Sequence, residues 1–286
     1  METTLFDHPA IQSGVAPFVI ALIVAGIFYR FKALAGLAIV SGFVVSVLLS
    51  SGISLEPLTS TRKITLLVLI APILGLLLSS VSYSRLYSKI WLNVFYTLGA
   101  LAMLWVVWPV LSRHPVDMLI PVAGYLIYAA WMVGVFFRLS EATAVAAGTA
   151  ATASGFGVGL TALIGASALL GQMGLSLGAA GAAYLFIQLF FKRGSQPGDL
   201  QDGEAGFTVT LTSGFMAALI LPAAVVYAKV PWIVLPLIAI VPLVAFYPFE
   251  DESRIWKNTV TLLAVMALPV AYAIYLTLQS AGTMVM

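Results

Sequence analysis

Apolar stretches about 20 residues long, the length a helix needs to cross a bilayer, follow one another along almost the whole chain. Short breaks between them hold most of the charged residues and many of the prolines and glycines. Reading between the breaks predicts helices over 14–30, 33–52, 64–82, 90–111 and 117–138 in the first half. The second half predicts 142–171, 176–191, 207–228, 231–248 and 255–279. The sixth run is longer than one straight span needs, and Gly, Ala, Ser and Thr dilute its hydrophobicity, so a tilted, extended or internally broken helix is expected there. The fold class expected is all-α: a polytopic transmembrane helix bundle of about ten spans, one integral membrane domain over 1–286.

Composition narrows the possibilities. The chain is 62% hydrophobic and 8% charged, with a mean hydropathy of +1.08, which is too apolar for a soluble domain. No room remains for a soluble catalytic domain. No small-residue cleavage site follows a basic segment, so the first span is expected to be retained. The chain has no Cys, which excludes disulfides, thiolate metal sites and a Cys nucleophile. A net charge of +2 gives no reason to expect a nucleic-acid partner. The lipid bilayer is the first partner implied.

Lys and Arg set the expected orientation, because cytoplasmic loops retain positive charge. With the N-terminus outside, the inner loops hold Arg30, Lys32, Arg85, Lys89, Arg138, Lys192, Arg193, Arg254 and Lys257. The outer loops then hold only Arg62, Lys63, Arg113 and Lys229. A bacterial inner-membrane protein with both termini periplasmic follows. The longest loop, 192–206, reads as a flexible cytoplasmic connector rich in Gly, Asp and Pro. Trp91, Trp105, Trp108 and Trp256 fall near helix ends, where aromatic belts form.

A self-similarity adds a second level. Ser88-Lys89-Ile90-Trp91-Leu92-Asn93 and Ser253-Arg254-Ile255-Trp256-Lys257-Asn258 share Ser, a base, Ile, Trp and Asn, and they contain the two Asn residues of the chain. Weaker matches pair Leu69-Ile70-Ala71 with Leu237-Ile238-Ala239 and Ser41-Gly42-Phe43 with Ser213-Gly214-Phe215, in the same order. A parallel internal repeat is expected, helices 1–4 with 7–10. It divides the chain into a first repeat near 14–111, central helices near 117–171 and a second repeat near 176–279. Parallel repeats occur in some transporters, whose sites lie between the halves. A duplicated bundle that merely packs well, or no duplication, is the alternative.

Chemistry is sparse. Ionisable residues at membrane depth default to functional hypotheses, and the spacing leaves almost none there. His8 and His114 are the only imidazoles, and neither belongs to a His-x-x-x-His motif. No metal, cofactor or catalytic residue is expected, and the chain reads as a non-enzyme. Candidates for a substrate path are Asn93 and Asn258, one turn inside their helices, Gln188, and Gly155 and Gly157 in the small-residue run 146–159. Close packing and interhelical hydrogen bonding explain the same residues without a substrate. The repeat alignment sets Arg85 and Lys89 opposite Glu250, Asp251 and Glu252, a candidate cytoplasmic latch if the halves rock.

The stretch Gly165-Ala166-Ser167-Ala168-Leu169-Leu170-Gly171-Gln172, within ten spans, resembles uncharacterised bacterial ten-helix inner-membrane proteins, a resemblance that implies no activity. Ten helices in a chain this short are also similar to the drug/metabolite transporter superfamily, which would imply export or exchange of small metabolites. That superfamily is built of inverted five-helix halves, unlike the parallel shift read here, so none of its residues are carried over. The expected function is transporter-like movement of a neutral or amphipathic small molecule. The alternative is a non-catalytic membrane scaffold or assembly subunit with membrane protein partners.

Overall fold

The computed structural model describes residues 8–31, 33–52, 56–79, 89–192, 205–247 and 255–282. Ten α-helices follow in order: α1 (Ala16–Ile27), α2 (Leu37–Ser50), α3 (Ser60–Ser79), α4 (Lys89–Leu111) and α5 (Pro115–Arg138). The second half contains α6 (Ala144–Ile164), α7 (Ala168–Lys192), α8 (Phe207–Tyr227), α9 (Val234–Ile240) and α10 (Ile255–Gly282). A π-turn, Ile11–Val15, leads into α1, and a 3₁₀ segment, Val241–Phe246, extends α9. Among the described residues seven helices, α3 to α8 and α10, are long and apolar enough to cross a membrane, so the chain is a multi-pass integral membrane protein. The other three segments, Ile11–Ile27, Leu37–Ser50 and Val234–Phe246, are shorter.

Local chemistry explains the boundaries. Pro115 opens α5 at a position where its missing N–H costs nothing, while Asp117 in the first turn and Arg138 in the last complement the helix dipole. The Thr143 side chain caps α6 by accepting from Ala146 N at 3.2 Å. The expected sixth helix, 142–171, instead ends at Ile164. Ala166 adopts φ of +71°, Ser167 N donates to Ala162 O and Ala166 N to Leu163 O, the hydrogen bonds of a Schellman stop with alanine where glycine is usual. Gln172 therefore lies one turn inside α7. Pro236 and Pro242 interrupt the ninth run, so its second half tightens to 3₁₀.

Apolar on every side, α8 occupies the centre, with α3, α5, α6 and α7 packed around it. Its hydroxyls are consumed locally: Thr210 donates to Gly206 O at 3.2 Å, Thr212 to Thr208 O at 2.7 Å and Ser213 to Val209 O at 2.9 Å. Thr208 Oγ1 instead accepts from Gly36 N at 3.1 Å, tying the start of α2 to the start of α8. The most extensive pairing is between α6 and α7. A Cβ on Gly155 would strike the Gly178 backbone, and one on Gly174 would lie 2.6 Å from Gly159 Cα. Small residues here let two backbones touch, the packing that membranes favour in place of a hydrophobic drive. An α4–α5 hairpin flanks α8 on one side, α1 and α2 lean on α7, and α10 lies on α6 with α9 beside it.

The helix pairing gives the expected parallel repeat no support. Exchanging α1–α4 with α7–α10 would carry the α3–α8 contact onto α9 and α2. Among the described residues α9 packs on α10, α5 and α6, and α2 on α1, α7 and α8.

Candidate functional site

One cleft stands out, about 380 Å³ in volume, between the α5–α6 turn, the end of the 3₁₀ segment and the first turns of α10. Its size falls in the range of small-molecule sites, roughly 300–1,000 Å³. It opens at the rim where α5 ends and α6, α8 and α10 begin, called the inner rim after the expected orientation. Here Ala205 N donates to Ala142 O at 3.1 Å, fixing the start of α6 against the entry to α8. The described 3₁₀ segment ends at Phe246, and Ala245, Phe246 and Tyr247 line the cleft between α6 and α10.

Polar and apolar side chains are mixed on both walls of this cleft. Arg138, Glu141, Thr143 and Asn258 line it together with Val145 and Leu262. Arg138 is exposed at the end of α5, and among the described residues its side chain has no hydrogen-bond or ion-pair partner. Glu141 stands at the mouth, Asn258 is half-buried, and both have partners. The Thr259 hydroxyl donates back to Ile255 O at 2.8 Å, and Thr143 is occupied as the α6 cap. The free hydrogen-bonding capacity therefore belongs chiefly to Arg138, a planar fork of five donors matched to carboxylate or phosphate.

The residues expected to form a substrate path are not brought together. Asn258 lines the cleft, whereas Asn93 is exposed on α4, a helix that packs on α3, α5 and α8 and makes no comparable contact with α10. Gly155 is sealed against Gly178, and a Cβ on Gly157 would lie 2.9 Å from Ile238 Cδ1 and 3.0 Å from Val270 Cγ2. Both glycines are closely packed positions. Gln188 is half-buried on α7, bonded to Tyr184 and outside the cleft. Of the candidate latch, Arg85, Glu250, Asp251 and Glu252 lie outside the described residues, as does the side chain of Lys89, whose backbone opens α4.

A second polar cluster, at the opposite rim, was missed by treating Lys63 as a loop charge. Lys63 lies in the first turn of α3 and is 7% exposed. Its ammonium donates to Trp105 O at 2.8 Å and sits 5.3 Å from the Trp105 ring centroid. The acceptor is available because Pro109 has no N–H to return to the carbonyl four residues earlier. Next to it, the Ser60 and Tyr227 hydroxyls lie 2.8 Å apart and both reach Val106 O, at 3.0 and 3.3 Å. The i, i+4 spacing of Trp105 and Pro109 was the available signal.

Comparison with protein families, curated proteins and solved structures finds no match to this chain.

Proposed function

We propose that the protein is a transporter-like membrane protein that admits an amphipathic small molecule at the inner-rim cleft. The carrying observation is the cleft itself: in a chain that is 8% charged, an arginine, a glutamate and an asparagine share one opening with apolar side chains. Such a combination suits a ligand with a polar head and an apolar body. With α8 buried at the bundle centre, access is from one rim at a time, and movement of α10 and the short α9 segment against α6 would carry the site between rims. In the expected setting, a bacterial inner membrane with both termini periplasmic, the cleft faces the cytoplasm.

The natural lack of Cys permits a direct test. Single cysteines replace Asn258 in the cleft and Ala217 on buried α8, and a membrane-impermeant maleimide is applied to vesicles of each orientation. The same protein in proteoliposomes is tested with a neutral nitrobenzoxadiazole-labelled decyl probe, its leaflet exchange followed by dithionite bleaching. The expected result is labelling of Asn258→Cys from the cytoplasmic side only, no labelling of Ala217→Cys, and exchange faster than in empty vesicles. Protection of both cysteines with exchange no faster than in empty vesicles would remove the transport reading and favour a scaffold.

A further inference from the structure

We infer that the ligand of the inner-rim cleft is an anionic amphipath, its carboxylate or phosphate held by Arg138 and its apolar chain laid along Val145 and Leu262 toward Phe246. The inference rests on the cleft being a ligand site, and it names the ligand class. Arg138 ends α5, where a positive-inside charge alone would be unremarkable. What sets it apart is its place on the wall of a cavity, beside a half-buried amide, with its own donors unclaimed among the described residues, while the Glu141 carboxylate stands exposed at the mouth and has a partner of its own. A guanidinium so placed accepts a planar or tetrahedral oxyanion in a bidentate grip.

The apolar half of the argument is continuous. Phe246 both lines the cleft and is 42% exposed, and Leu243 and Ile240, on the same short segment, are exposed as well. An apolar strip thus runs from the cleft to the outside of the bundle along that segment. A chain attached to the bound head has a path into the hydrocarbon without crossing a polar barrier. Two sources share this chemistry, an anionic phospholipid of the inner leaflet and a soluble single-chain acid.

The test is equilibrium binding of radiolabelled decyl phosphate to the full-length protein in phosphatidylcholine nanodiscs, with decyltrimethylammonium as the competitor of equal chain and opposite charge. Saturable binding is expected. It should weaken about tenfold or more in Arg138→Gln, weaken less in Arg138→Lys, which keeps the charge but loses the bidentate fork, and be lost in Asn258→Trp, which fills the cleft and keeps the charge. Residual binding in Arg138→Lys also shows that changing this side chain leaves the fold intact. Including phosphatidylglycerol in the nanodiscs separates the sources: competition assigns the site to a bilayer phospholipid, and no competition assigns it to a soluble acid. Undiminished binding to Arg138→Gln, or equal displacement by the cationic decyl compound, would overturn the inference. Arg138-dependent binding without leaflet exchange keeps the ligand class and removes transport. Exchange of the neutral probe with no Arg138-dependent binding of decyl phosphate does the reverse.

Discussion

Lys63 and Pro109 form a unit that spans two helices. A proline inside α4 leaves the Trp105 carbonyl without its helical donor, and the ammonium of Lys63 on α3 fills the place at 2.8 Å. Lys63→Met, which keeps the length of the side chain, should therefore destabilise the protein by about 1–3 kcal/mol, the cost of orphaning a buried acceptor. In the background of Pro109→Ala the alanine N–H can serve Trp105 O itself, and the same lysine substitution should cost much less. Thermal unfolding of the four proteins in detergent reads the coupling. Strictly additive effects would show that the two residues act independently. The cluster also marks where sequence reading stopped. Lys63 followed a polar stretch and was counted as a loop charge, because nothing local distinguishes a lysine that snorkels from one that turns inward to a carbonyl on another helix. Asn258 was legible as a polar group near a helix end. The helix pairing gives its equivalence to Asn93 no support, since two short matching motifs fix neither the neighbours nor the faces of their helices.

At the scale of elements, the periodic signals were strong and the stops were weak. The long apolar runs that became α3, α4, α5, α8 and α10 were found to within a few residues. The α6–α7 break was displaced because its stop uses Ala166 at a positive φ, a residue that carries none of the sequence signature of glycine. The small residues of α6 allow two readings, a broken helix that lines a path and a closely packed one, and the glycines sit in close contact with α7. Gly155 meets Gly178 backbone to backbone, and Gly159 meets Gly174. Composition is identical in the two cases, and only the partner helix decides between them. Gly155→Leu should consequently force α6 and α7 apart and destabilise the protein by more than the ~1–3 kcal/mol typical of overpacking, because backbone has no rotamer with which to yield. Gly124→Leu on α5, where a Cβ meets nothing within 4 Å, should be nearly neutral. Detergent stability of the pair provides the check, and equal tolerance of both would mean that the α6–α7 contact is not the tight seam of the bundle.

For the whole molecule the question is how many times the chain crosses. Seven helices meet the length of a span and three segments do not, and the parity of the answer differs: ten crossings put both termini on one side, seven put them on opposite sides. The tertiary contacts constrain the short ninth segment most. The beginning of α8 meets the beginning of α2 through Thr208 and Gly36, while its end, at Tyr227, meets the Ser60 and Val106 region at the other rim. The start of α10 returns to the cleft beside Arg138. The chain between Tyr227 and Ile255 must travel from one rim to the other, and the short α9 with its 3₁₀ extension is the helical part of that route. At about 1.5 Å per residue in α-helix and about 2.0 Å in 3₁₀, the segment covers roughly three quarters of a hydrocarbon core about 30 Å thick. Mismatch of this size is accommodated by local thinning or by polar groups drawn inward, and the cleft with Arg138 and Asn258 lies at the Phe246 end of the segment. The expectation is ten crossings with both termini periplasmic. Fusions of alkaline phosphatase to the N- and C-termini of the whole chain should both be active, and a fluorescent protein at either terminus should stay dark. Active phosphatase at one terminus only would give an odd number of crossings and would leave at least one short segment lying in the interface.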